Sequence, residues 1–180
     1  AYDGVNQNTT LARYEDRSRN TFSPKVSLSF EPIPAWGFRA AFGKAYRFPT
    51  VTELFQQLTV SNTIVTNNPN LKPEEIYSSE ITAERRFANG LARASLFRED
   101  RYDALISQTN VSPVPPLTNS TSYVQNVDHV RIYGIELATE WKNAIIPKLD
   151  LLANATLTDS EILKNDAAPS NINKKVPRIP

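Results

Sequence analysis

Six segments of this chain read as strands, five of them alternating apolar and polar residues at a period of two, and the breaks between them are alternately short and long. Residues 25–31 set Val26, Leu28 and Phe30 against Lys25, Ser27, Ser29 and Glu31. Residues 37–46 set Phe38, Ala40 and Phe42 against Arg39, Ala41 and Gly43. In 74–87, Tyr77, Ser79, Ile81, Ala83 and Phe87 oppose Ser78, Glu80, Thr82, Glu84 and Arg86. In 122–142, Tyr133, Ile135, Leu137 and Trp141 oppose Gly134, Glu136, Ala138 and Glu140. In 148–160, Leu149, Leu151, Ala153, Ala155 and Leu157 oppose Asp150, Asn154, Thr156 and Thr158. Successive side chains of a strand point to opposite faces, so this pattern predicts strands with one apolar face each. Residues 91–107 sort into no clean face, which leads us to expect a bulge there. Pro73 and Glu74-Glu75 resemble a helix start. The separation of charges at period two over 74–88 favours a strand instead.

The 13 prolines fall almost entirely at segment edges, where a residue without an N–H is tolerated. Short connections are expected at Pro32–Trp36, Ala88–Gly90 and Asn143–Pro147, and long polar ones at about 47–73, 108–121 and 161–175. An up-and-down membrane barrel alternates its connections in this way, whereas a soluble meander has no reason to. Trp36, Phe87 and Trp141 adjoin the short turns, where an interfacial girdle belongs. No run of 18 or more apolar residues encodes a transmembrane helix, but a barrel strand needs only about 9–11 residues. Lys+Arg 20 against Asp+Glu 19 leaves a net charge of +1 with no basic tract, which argues against a nucleic-acid partner. With no Cys there is no disulfide and no thiolate metal site. With no Met, no signal peptide and an ending at Val176–Pro180, we expect a segment of a larger protein.

Three stretches carry a resemblance. Gly43–Phe55 holds an aromatic-Arg-x-Pro-x-x-x-Glu-Leu pattern at a strand end. Asn68-Pro-Asn-Leu-Lys-Pro-Glu-Glu75 leads to Ser79-Glu80. Gln125-Asn-Val127 precedes Arg131-Ile-Tyr-Gly-Ile-Glu136. In this order and spacing, over roughly 25–142, they resemble TonB-dependent outer-membrane receptors. The resemblance implies an all-β fold of antiparallel up-and-down strands, a partial segment of a transmembrane barrel of about 22 strands with a plugged lumen. Residues 1–180 would be about six strands of it, without the plug domain or the C-terminal strands. It further implies a receptor in the bacterial outer membrane, in contact with its lipid, that takes up an iron–siderophore or similar chelate. A TonB-type energy-coupling protein would act through N-terminal parts outside this sequence.

Candidate residues are weighed on that footing. Arg47 and Tyr123, near the strand mouths, offer a guanidinium and a phenol to an anionic chelate. Glu53, Glu80, Glu84, Arg86 and Glu136, with Arg47, are read as a lumen network that holds the plug. Asn68–Glu75 reads first as a shaped loop. No catalytic residue, cofactor or metal site is assigned. His129 is the only histidine and lacks partners at metal or triad spacing, so it is placed in solvent or in the belt. Arg98–Asp103 reads as a solvated strand end without a calcium loop. The alternative is a soluble β-sandwich binding module, carbohydrate-binding-like, with its apolar faces packed together. A third reading, a carboxylate-pair enzyme, has only Glu80 and Glu84 on a shared face to support it.

Overall fold

The computed structural model describes residues 18–176 apart from 56–57, 61–62, 67 and 112–119. Of 58–60, 63–66, 108–111 and 120–122 it describes the backbone alone. The elements run β1 (Lys25–Ile33), β2 (Trp36–Arg47), α1 (Val51–Phe55), β3 (Leu58–Val60), β4 (Thr63–Thr66), β5 (Glu74–Phe87), β6 (Gly90–Val111), β7 (Ser120–Trp141) and β8 (Leu151–Lys164), then one 3-10 turn at Pro169–Asn171. The six long strands pair antiparallel in the order β1-β2-β5-β6-β7-β8, each with the next long strand along the chain. The sheet does not close.

Every segment expected to be a strand is one, and Glu74–Phe87 is strand rather than helix. Two connections differ from expectation. The 47–73 region contains the short helix and the hairpin β3–β4, whose second strand lies parallel to β7 from Thr63↔Ser120 to Thr66↔Tyr123. The expected loop 108–121 begins and ends in ladder, 108–111 and 120–121 belonging to the β6–β7 pairing that runs from Gly90↔Trp141 to Val111↔Ser120. Pro113, Pro115 and Pro116 lie outside the described residues. Polar, Thr/Ser-rich sequence hid this extension, because ladder pairing beyond a membrane needs no apolar face.

The bulge expected in 91–107 is absent, since neither ladder of β6 shifts register. Asp103 instead takes φ 51, a left-handed conformation that Asp tolerates. Register shifts occur elsewhere, at Phe30/Ile33 beside Pro32 and at His129/Val130. The mixed faces of β6 have another cause. Each face of so long a strand passes through two environments. On one face Ala92, Ala94 and Leu96 are followed by Arg98, Asp100 and Tyr102. Arg98–Asp103 therefore lies in mid-strand, not at a strand end.

Register collects the apolar residues on one face. Leu28↔Ala40↔Ile81↔Leu96↔Ile135↔Leu157 is a continuous row across all six strands. The adjacent row is Phe30↔Phe38↔Ala83↔Ala94↔Leu137↔Ala155. These side chains are uncovered, Ile81 at 64% exposure and Leu157 at 72%. A sandwich would bury them under a second sheet, and the described residues form a single sheet. The apolar band also slides along the register. Its loop-end edge is Val26 in β1 but Leu157 in β8, although Val26 is level with Asp159. Strands tilted to a barrel axis require such a slide if the band is to stay level.

At the turn end the band finishes in aromatics. Phe87 lies 4.7 Å from Trp141, Trp36 stacks on Phe38 at 5.9 Å, and Arg85 sits 5.3 Å over Trp36 and 4.9 Å over Phe87. The expected girdle residues do therefore share one edge. The buried core is small and near the loop end: Ala104, Val127, Val130, Ile132 and Ile162, with Phe97 packed against it.

Candidate functional site: the polar face and the loop-end clamp

The face opposite the apolar band is ionic. Arg86 of β5 pairs with Glu84 at 3.1 Å and reaches over β2 to Glu31 of β1, also at 3.1 Å. The pair passes over Gly37 of β2, where a Cβ would lie in ordinary contact with it, 3.7 Å from the Arg86 guanidinium. Thr82 donates to Glu80 at 2.8 Å and shares a buried hydrogen bond of 2.9 Å with Ser95. Glu80, Glu84, Arg86 and Glu136 line one depression of about 310 Å³ together with Glu31, Arg39 and Arg93. Four of the six residues expected to form a network, all but Arg47 and Glu53, therefore line one depression. Glu84 is neutralised by Arg86 and Glu80 is bonded by Thr82, which are structural settings for carboxylates.

Glu53 is not among them. It sits in α1 at the loop end, and its local sequence Thr50-Val-Thr-Glu53 is a capping box. Thr50 N–H donates to the Glu53 carboxylate at 2.7 Å, and Glu53 N–H donates to Thr50 Oγ1 at 3.3 Å. Arg47 donates to the same carboxylate at 2.8 Å. Burial opposes ionisation of Glu53, yet these donors hold its pKa below the ordinary 4.5. A carboxyl depressed in the folded state stabilises it above the ordinary value, and that contribution is lost as pH falls through the folded one. Protection of the Thr50 and Glu53 amides, taken relative to the intrinsic exchange rate at each pH in the full-length protein, should therefore fall below about pH 4.5. Glu53→Ala, which removes the acceptor, should abolish that protection at every pH. Unchanged slow exchange in that variant would refute the cap.

Arg47 also approaches Glu74 at 4.0 Å. Glu74, buried to 2% exposure, further pairs with Arg101 at 3.4 Å and accepts from Leu105 N–H at 3.3 Å. The second clamp is Asn126. Its side chain accepts from Lys72 N–H at 2.9 Å and donates to the carbonyls of Lys72 at 2.9 Å and Asp103 at 2.8 Å. Leu71 is buried beside it. Residues 68–73 are thus a shaped loop, as expected, pinned to β6 and β7, and Glu74 and Glu75 already belong to β5. Removing three hydrogen bonds by Asn126→Ala should cost about 1 kcal/mol, with water replacing part of the loss, and should loosen 68–73. Protection of the Lys72 amide from exchange is the measurement.

Glu74 and Asn126 escaped the sequence reading as side chains with roles. The available signals were Pro-Glu-Glu at a strand start and an Asn before the Arg-Ile-Tyr-Gly run. Tyr123 lies in β7 beside Thr66, with β5 and β6 between it and the strand that carries Arg47. His129 is on the apolar band's face, just beyond its loop-end edge. There it meets Asp100 at 2.9 Å, as do Arg131 at 3.0 Å and Arg98 at 2.6 Å. Tyr102 stacks on its ring at 4.4 Å. The described residues hold no cluster of three or more His, Cys, Asp or Glu arranged for a metal.

The whole chain, residues 1–180, matches the family model described as "TonB dependent receptor-like, beta-barrel". A "Heme/hemopexin utilization protein C" of Haemophilus influenzae (strain 86-028NP) is 27% identical over 192 residues, 95% of this chain and 26% of that protein. The chain thus spans about a quarter of the curated relatives it matches. Among solved structures, the copper transporter OprC superposes with TM-score 0.67 at 20% identity, over 88% of this chain and 22% of that one. The siderophore receptor PirA from Pseudomonas aeruginosa gives 0.60 at 18% identity, over 77% and 25%. With an apolar band on one face, an ionic opposite face and a family model covering its full length, this chain belongs to the TonB-dependent receptor-like β-barrel family.

Proposed function

We propose that the full-length protein is an outer-membrane receptor for TonB-dependent uptake of an iron chelate, either an iron–siderophore or a similar complex. The observation that carries this reading is the two-faced sheet. A charged, hydrogen-bonded face suits a plugged aqueous lumen, and the bare apolar face between aromatics and a charged rim suits lipid. The relatives are named for heme/hemopexin utilization and for siderophore reception, which supports a chelated metal as cargo. They are transport receptors rather than enzymes.

On this reading the short turns face the periplasm, and the 47–73 connection and the far end of the β6–β7 ladder face outward. The depression around Glu84, Arg86 and Glu136 would meet the plug. Arg47 is held by two carboxylates, so its first task is to shape the mouth. Contact of Arg47 or Tyr123 with cargo would add to that. The TonB-type coupling protein would engage parts outside this sequence.

The test is uptake by a strain with the full-length gene, supplied with a ferric siderophore or heme as sole iron source. Growth should require both the gene and the energy-coupling protein, and the receptor should fractionate with outer membrane. Growth that is independent of coupling would overturn the proposal. Cargo recognition is expected from outward loops on a rigid scaffold. Deleting 111–119 should lower cargo affinity while surface expression holds. Unchanged affinity would reduce that segment to a connector.

A further inference from the structure

We propose that the apolar face holds a specific site for one glycerophospholipid of the periplasmic leaflet, with Arg85 taking the headgroup phosphate and a trough floored by alanines taking an acyl chain. This rests on the membrane-barrel reading above. The trough, about 560 Å³, has Ala83, Ala92, Ala94, Ala153 and Ala155 in its floor and Trp36 and Phe87 along its edge. Its two register rows are Ala83↔Ala94↔Leu137↔Ala155 and Arg85↔Ala92↔Thr139↔Ala153, so it spans β5 to β8 inside the sheet. The next row toward the loop end is Ile81↔Leu96↔Ile135↔Leu157, all large. The alanines on either side of Leu137 in one row and of Thr139 in the next leave a dent that an apolar lining keeps free of ordered water and that hydrocarbon fits.

Arg85 supplies the second, independent observation. It is exposed on this face and stacked over Trp36 and Phe87, and no carboxylate lies within 4.0 Å of it among the described residues. The other arginines of this face, Arg98 and Arg131, both pair with Asp100 at the loop end. Cation–π contact with the two rings consumes no N–H donor, so the guanidinium fork is left for a planar or tetrahedral anion. A phosphate diester is the anion a membrane offers at that depth. The order of the features also matches. The trough lies in the row of Arg85 and the next row inward, so a chain entering from a phosphate held at Arg85 meets it first.

The experiment uses the full-length receptor, purified and delipidated, titrated with phosphatidylglycerol and followed by native mass spectrometry. Two controls divide the ligand: diacylglycerol lacks the phosphate, and glycerophosphoglycerol lacks the chains. One phosphatidylglycerol should bind the wild type about tenfold more tightly than it binds Arg85→Gln, the loss expected for a charge-assisted hydrogen bond. Ala94→Leu, which fills the trough and keeps the charge, should weaken it similarly, and neither control should match the intact lipid. Heat-modifiable migration on gels verifies folding, and Arg85→Lys, with the charge but not the fork, should fall between. Equal affinity in Arg85→Gln, or diacylglycerol binding as well as the phospholipid, would overturn the site. So would a receptor pair that the lipid does not dissociate, since the face would then be taken by a second copy. A wild type that does not enter lipid at all overturns the receptor reading itself; normal insertion with unchanged affinities overturns this site alone.

Discussion

Ile81→Arg in the full-length receptor should lower barrel stability by about 2–4 kcal/mol in lipid, the cost of a guanidinium near the bilayer midplane on a lipid-facing strand. Ile81 lies within the apolar stretch of β5, flanked in register by Ala40 and Leu96 and well away from the aromatic edge. Leu151→Arg is the informative comparison. Both residues are on the apolar face, but Leu151 is level with Trp141 at the girdle, where the same substitution should cost no more than about 1 kcal/mol. Denaturant unfolding from detergent or vesicles would measure both. Equal costs would deny that the face is graded by membrane depth, and no cost at either site would argue against lipid contact.

Gly134→Val should be about as damaging, at roughly 3 kcal/mol, and for a different reason. A Cβ at 134 would come within 2.7 Å of the Phe97 ring and would also run into the Leu157 carbonyl oxygen. The ring is a side chain that can swing, whereas the carbonyl belongs to the β7–β8 ladder and cannot move without breaking register. Phe97→Ala should therefore restore only part of the stability of Gly134→Val, and the double-mutant cycle separates the two contacts. Full rescue would show that the carbonyl yields. Phe97 also packs on the small core of Val130, Ile132 and Ile162, so the loss should spread to the β7–β8 edge.

The strands were legible because their period was. Val26 to Phe30, Phe38 to Phe42 and Leu149 to Leu157 each alternate, and alternation has one simple structural meaning when one face meets an apolar medium. Residues 91–107 were harder for the same reason. The face that carries Leu96 inside the band carries Arg98 just past it, so a single rule for that face fails although the register is regular. The site divided likewise. Alternation put Glu80, Glu84 and Arg86 on the polar face, and the ladder from β5 to β7 brought Glu136 to the same depression. Glu53 shares their charge but not their place, and Thr50-x-x-Glu53 is the local signal for the helix cap that it forms.

The sequence by itself determined which residues share a strand face, where the turns fall and which family the chain resembles, because these depend on neighbours two or three positions apart. Only the tertiary structure decided that Asn126 clamps Lys72 and that Glu74 is buried between Arg47 and Arg101. It alone also set the small-residue rows beneath Arg85. Those contacts join residues tens of positions apart, and their geometry depends on register and on the slide of the apolar band, neither of which any one strand encodes.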